Sequence, residues 1–256
     1  MSAAKALFQG FVSRLLPSAF TDDRDDAKPV RLGRYGELKL SEADCNLYGY
    51  CEEGSLMVAT SPTVGTGLVG VTAQTTYNAT GPSVYVYNNE PAGGKSLYIG
   101  SLKQIASAAA TSSTVHYYAA VLDPTYRAIT TDNFAAAIVP INPNGNLPVI
   151  ATPVIKFQSS ATVSAIAAAS GSARVVARGQ LGALNIIGDE FIINFGRGDH
   201  IGHPGLTAAQ ASQNSKRVSN APPVIVPPGG TFTIHQWALA QAASASPEYE
   251  LTMWAR

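Results

Sequence analysis

The residue order predicts an all-β body, a jelly-roll-like β-sandwich with long loops, behind an N-terminal helical arm. Short runs of β-forming residues recur along the chain, joined by Gly, Pro and Asn turns. Outside the first 20 residues no segment carries a helical stripe with caps. Charge is lopsided: residues 1–53 hold 16 of the 34 charged residues, and the remainder is nearly neutral. The number of strands favours a jelly roll among the sandwiches.

In the arm, Leu7, Phe8, Phe11, Val12, Leu15 and Leu16 recur at helical spacing, with Lys5, Gln9 and Arg14 between them. This predicts an amphipathic helix ended by Pro17, whose apolar stripe docks on a partner. Gln9, Gly10, Ser13 and Arg14 interrupt the apolar run that a signal peptide needs. Residues 21–34, TDDRDDAKPVRLGR, read as a charged linker. DDRDD lacks the alternating Asp order, the Gly and the closing Glu of a calcium loop. The expected division is an arm and linker at 1–27 and a sandwich body at 28–256.

Ser83–Tyr87 opens the run of strands, with Val84 and Val86 on one face and Tyr85 and Tyr87 on the other. Asn88–Gly94 turns into a strand from Lys95 to about Ala108. Thr114–Leu122 follows and is closed by Asp123-Pro124. Asn142-Pro-Asn-Gly-Asn146 marks a turn into Pro148–Phe157. The Ala-rich piece 161–173 stays open between helix and strand. Ala173–Arg178 and Leu184–Ile187 read as short strands. Gly188-Asp189 then turns into Phe191–Phe195, where Phe191, Ile193 and Phe195 share a face. Residues 196–216 read as a polar surface loop. Pro222–Gly230 punctuates a turn before the β-forming run TFTIHQWALAQ. At the end, Tyr249, Leu251 and Met253 alternate with Glu250, Thr252 and Trp254, the period of a half-buried strand. A terminus built into a sheet suits a part that is assembled.

Composition narrows the function classes. The formal net charge is zero, which leaves no electrostatic footprint for nucleic acid. No stretch approaches the ~20 apolar residues of a membrane span. Only 13% of residues are charged against 46% hydrophobic, the balance expected where neighbouring subunits cover much of the surface. Cys45 and Cys51 are too few to staple the domain. They read as reduced thiols of a protein made in a cytoplasm, with a local disulfide as the alternative.

The motifs weigh toward structure. GGKS at 93–96 has Asn89 where a phosphate loop requires Gly, and a strand follows it, so it reads as a hairpin turn. Asp199, His200 and His203 lack a third fixed ligand and read as a loop tip. His116 and His235 sit singly in strands. Arg197-Gly198-Asp199 and Asn78-Ala79-Thr80 match short recognition patterns that recur by chance. Asp189 and Glu190 point apart on a strand, and Glu248 and Glu250 occupy the face opposite the apolar residues, so neither pair reads as a glycosidase dyad. Tyr85, Tyr87, Tyr98, Tyr117, Tyr118, Trp237 and Trp254 offer rings to a glycan, but packing at a sandwich rim or a subunit interface is the commoner use. No catalytic, cofactor-binding or metal-binding residue is assigned.

Several stretches together resemble structural proteins of tailed bacteriophages. These are KPVRLGRYGEL (28–38), EEGSLMVATSPTVGTGLVG (52–70), SVYVYNNEPAGGKSLYIGSLKQI (83–105), GDEFIINFG (188–196), and PPVIVPPGGTFTIHQWALAQ running on to YELTMWAR. The resemblance follows most of residues 28–256 in order and rests on turn and strand patterns. It implies a non-enzymatic virion part, first a capsid decoration or cement protein that stabilises the head through inter-subunit contacts. A receptor- or glycan-binding module of a tail fibre or tail tip is the alternative. The implied partners are the major capsid protein or other virion proteins and further copies of the chain, a homotrimer being favoured. The implied location is the virion, assembled in the host bacterial cytoplasm. The arm residues Leu7 to Leu16 named above are the expected partner-binding set, and no cofactor, nucleic acid or membrane is implied.

Overall fold

Alternation decides which side chains face inward, and it runs cleanly through the last strand. Pro247, Tyr249, Leu251, Met253 and Ala255 are buried while every second residue is only half-buried. A computed structural model describes residues 50–51, 54–63, 65–68, 74–108, 115–183, 187–188, 190–196, 216–238 and 246–256. The described residues all lie in one compact unit, Leu47–Arg256. The arm, the linker, the division at 27/28, Asp189 and residues 197–215 lie outside the described residues.

The described part is nearly all β. Its strands are β1 (Leu56–Thr60), β2 (Val84–Tyr87), β3 (Leu97–Ala108), β4 (Val115–Asp123), β5 (Ile129–Thr131), β6 (Val154–Phe157) and β7 (Ala165–Ile166). They continue with β8 (Arg174–Ala183), β9 (Glu190–Phe195), β10 (Lys216–Ala221), β11 (Val224–Val226), β12 (Thr231–Ala238) and β13 (Ser246–Ala255). One sheet has the order β1-β13-β3-β9-β10, with β11 pairing β3 beside it. The second has the order β6-β2-β12-β4-β8, and β5 and β7 form a small third sheet. Among the described residues no helix is long and apolar enough to cross a membrane.

The pairing is nested. β1 pairs β13, β2 pairs β12, β3 pairs β9 and β4 pairs β8, all antiparallel. The ribbon this makes is then wound so that β13 also pairs β3 and β12 also pairs β4. Among the described strands only β9 and β10 run parallel.

The two large sheets meet through their inner faces. Phe157 of β6 stacks on Tyr249 of β13 with ring centroids 5.0 Å apart, and Phe195 of β9 meets Phe232 of β12 edge to face at 5.6 Å. Around them Val84, Val86, Leu97, Leu102, Ile155, Ile234, Leu251 and Met253 are buried in one core. Burying each such side chain is worth about 1.5–3 kcal/mol.

The second sheet is covered on its other face as well. The insert between β4 and β8 brings Phe134 and Ile166 onto the outward side of Tyr85, making a second small core. This explains why Thr231 to His235 are buried at five consecutive positions in β12, where alternation would leave every second one wet.

Two expected boundaries are corrected. The strand expected at Pro148–Phe157 begins only at Val154. Pro148 and Pro153 have no N–H to give a ladder, and Ile150 instead bonds the Gly54 carbonyl at 3.3 Å. The short strand expected at Ala173–Arg178 is longer, since β8 continues through Gly179 and Gly182 to Ala183, and of the strand expected at Leu184–Ile187 residues 184–186 lie outside the described residues while Ile187 is in a turn. Gly179 belongs inside β8 because Tyr118 lies against it: a Cβ there would stand 2.9 Å from the ring. Residues 161–173 form β7 and turns, not a helix.

Candidate functional site

The arm residues expected to bind a partner (Leu7, Phe8, Phe11, Val12, Leu15 and Leu16) lie outside the described residues, as do Asp199, His200 and His203. Of the carboxylates considered for catalysis, Glu190 pairs with Lys103 at 3.7 Å, and Glu248 accepts the Gly65 amide at 3.1 Å. GGKS is a turn: Gly93 has φ +82°, and the Gly94 amide donates to the Pro91 carbonyl at 2.8 Å. Asn78 accepts the amide and hydroxyl of Thr80, both at 3.0 Å, so the sequon is a local turn. Cys51 has a free thiol, which donates to Asn142 Oδ1 at 3.3 Å. Among the described residues no group of three His, Cys, Asp or Glu side chains could hold a metal.

The aromatics divide into two groups. Tyr50, Trp254 and Tyr98 form a parallel stack, with centroids 5.6 and 5.7 Å apart, and the Arg256 guanidinium caps Tyr50 at 4.7 Å. The indole lies beside Gly100, where a Cβ would stand 3.0 Å from it. Rings stacked in this way cover one another's faces, which leaves little for a sugar to stack on. On the second sheet, Trp237 stacks on Tyr117 and meets Tyr77 edge to face. Tyr77 is 42% exposed.

A polar layer that the sequence reading did not find ties the β4–β8 insert to the second sheet. Arg127 is fully buried. Its Nε and Nη2 donate to the Ala167 carbonyl at 3.0 and 2.8 Å, and Nη2 also donates to Ala79 at 2.8 Å. Its own carbonyl accepts the Tyr85 hydroxyl at 2.9 Å, and its amide donates to Thr231 Oγ1 at 3.0 Å. Burial pushes the nearby Asp123 carboxyl up, but bonds from the hydroxyls and amides of Ser170 and Thr125 outweigh it and hold it down at about 2. The only advance signal was Asp-Pro-Thr after a strand, which marks a turn and not a buried network.

His235 is fully buried in the same layer, with Nε2 3.0 Å from Thr233 Oγ1 and Nδ1 without a hydrogen-bond partner. Burial, then the Arg127 charge, lowers it from 6.5 to about 4 despite the opposing backbone of Gly81 and Asn78. The unfolded chain therefore takes the proton first. Stability from His235 is full above about pH 6.5 and is lost as pH falls toward about 4, roughly 3 kcal/mol in all. Burial lowers His116 as well, which adds a loss of the same sign. Thermal melts from pH 8 to pH 4 should be level at first and then fall below about pH 6.5, and a His235→Gln variant should lose most of that acid slope.

Among the described residues, the sandwich is closed on one side and open on the other. On the sealed side the chain from 134 to 141 passes between the sheets. Ile138 bridges Ile155 of β6, and Ile141 bridges Val58 of β1 through bonds of 2.8 and 2.9 Å. Ile138 packs inward, while Val139 and Ile141 stand 79% and 61% exposed. No charged residue lies between Asp132 and Lys156. On the open side, β8 and β10 are the last strands of their sheets. Tyr118 of the second sheet reaches Ser219 of the first at 2.7 Å. A groove along this edge is lined by Val175, Val176, Ala177, Arg178, Asn220 and Pro222.

Comparison with protein-family models, with curated proteins and with solved structures finds no match for this chain.

Proposed function

We propose that this chain is a non-enzymatic structural protein of a virion, a decoration or cement protein of the capsid with a jelly-roll body. The winding is supported by the nested pairs β1/β13, β2/β12, β3/β9 and β4/β8, which give the interleaved orders β1-β13-β3-β9 and β2-β12-β4-β8. Jelly rolls serve in viral capsids and in lectins alike, so the choice of function rests on the surface. The observation that carries the structural reading is the uncharged wall between Asp132 and Lys156, with Val139 and Ile141 turned outward. A wall of this kind belongs against another protein. Its mechanism is mass action: a protein that binds only the expanded shell stabilises that shell over its alternatives. The chain acts as a homo-oligomer, a trimer being favoured, with the major capsid protein or another virion protein as its partner.

The arm supplies the grip on the particle. Deleting residues 2–20 should leave a folded oligomer that cosediments poorly with particles, measured against the full chain. Undiminished cosedimentation would remove the arm from the account. The alternative, a glycan-binding module of a tail fibre, draws its support from Tyr77 standing exposed beside Trp237 and Tyr117. Binding on a glycan array that is lost in Tyr77→Ala would favour it.

A further inference from the structure

The turn from Asn142 to Leu147 carries asparagine at alternate positions, Asn142, Asn144 and Asn146. An asparagine can react with the chain that follows it: the next backbone nitrogen attacks the side-chain amide carbon and closes a five-membered imide. The following residue decides which asparagine does so. Asn142 precedes Pro143, whose nitrogen has no hydrogen to give up. Asn146 precedes Leu147, whose amide is held by the Asn144 carbonyl at 3.0 Å and whose side chain crowds the approach. Asn144 precedes Gly145, the only Asn-Gly pair in the chain.

Three features leave that pair ready to react. Gly145 is exposed, and its amide donates to no acceptor among the described residues. A Cβ on Gly145 would meet nothing within 4 Å, so the peptide has room to turn. Asn144 Oδ1 accepts the Asn146 amide at 3.3 Å, which draws electrons from the carbon to be attacked. The bonds that ring closure strains belong to an exposed turn, where local opening costs little. Asn88 shows the protected case: it is fully buried, and its Nδ2 donates to the carbonyls of Lys95 and Val226.

We propose that Asn144 is a site of self-modification, converted through an imide with Gly145 to aspartate and isoaspartate. The Gly145 nitrogen gives its proton to hydroxide and bonds to Cγ. The Cγ–Nδ2 bond breaks, and Nδ2 takes a proton from water and leaves as ammonia. Water then adds to one of the two imide carbonyls. Cleavage at Cγ restores the main chain with aspartate at 144, and cleavage at the main-chain carbonyl routes the chain through the side chain as isoaspartate. One water is consumed and one ammonia released, with no oxidation. Either product is a carboxylate, ionised above about pH 4, in a stretch with no charged residue between Asp132 and Lys156. Isoaspartate also lengthens the main chain within a turn tied at both ends. Asn142 Nδ2 donates to the Cys51 carbonyl at 3.1 Å, and the Ile150 amide to Gly54 at 3.3 Å. The stretch is the wall that the assembly reading sets against another protein, but the chemistry stands without that reading.

The test incubates the full folded chain at pH 7 and at pH 9, beside a synthetic peptide of residues 140–150 and a Gly145→Ala variant. Intact mass and peptide maps follow the exchange of NH2 for OH. It should appear first at Asn144, as aspartate together with isoaspartate, the latter accepting methyl groups from an isoaspartyl methyltransferase. The folded chain should react within about tenfold of the peptide's rate, because opening an exposed turn has a free energy near zero. The reaction should be faster at pH 9, since the attacking nitrogen must lose its proton. Gly145→Ala keeps the fold, as Gly145 has no left-handed φ and open space around it, and should react at least several-fold more slowly. Another asparagine altered before Asn144, a folded chain slower than the peptide by more than about tenfold, or a Gly145→Ala variant as fast as the wild type would each overturn the proposal. All of these are read on the isolated chain, so they leave the virion reading to the particle experiments.

Discussion

Replacing Phe232 by alanine is expected to destabilise the body by about 3–5 kcal/mol. The ring is fully buried in β12, a strand with neighbours on both sides and cover on both faces. It meets Phe195 of the other sheet edge to face, so its loss removes transfer energy and opens a cavity between the two sheets. β12 is held by β2 and β4, and this leaves little freedom to collapse into the gap. Urea unfolding should show a lower midpoint with an unchanged slope. Thermal melting should fall by roughly 10 °C, at about 2–4 °C per kcal/mol for a chain of this size. A loss under about 1 kcal/mol would mean that the two inner faces are not packed as described.

Arg127→Ala should cost about as much, by a different route. The guanidinium satisfies the carbonyls of Ala79 and Ala167, one on each of two segments that cover the second sheet. Removal leaves two part-buried carbonyls without their donor, at about 1 kcal/mol each, and empties the space of a large, fully buried side chain. The expected total is about 3–4 kcal/mol. Arg127→Lys should recover only part of it, because one ammonium cannot reproduce the planar fork that reaches both carbonyls. The damage should be local. Hydrogen exchange should rise first in 74–81 and 124–170, the segments the side chain joins, while β13 and β3 keep their protection. Uniform loss across both sheets would contradict the role assigned to Arg127.

The parts of the fold that follow from a period of two were legible. Phe191, Ile193 and Phe195 share the buried face of β9, and Tyr249, Leu251 and Met253 that of β13, as their spacing predicts. Asn142 folds back on the amide of Asn144 at 2.9 Å, the turn that its neighbours Pro143 and Gly145 announce. What escaped depends on contacts distant in sequence. Five successive buried residues in β12 reflect a layer that the β4–β8 insert lays over it. β8 continues through Gly179 because Tyr118, about 60 residues earlier, fills the place a side chain there would take. The role of Arg127 depends on the return of Ala79 and Ala167 around it, which no local pattern announces. The surfaces behaved in the same way. A low charge count was visible from composition, but the placing of Val139 and Ile141 on one side and of the groove on the other needed the strand order.

The most direct measurement is immunogold labelling of purified particles of the virus that encodes the chain, with antibody raised against residues 28–256. Gold spread over the head, with the protein present in the particle by mass spectrometry, is the predicted result. Particles without gold, from which the protein is also missing by mass, would contradict the virion reading.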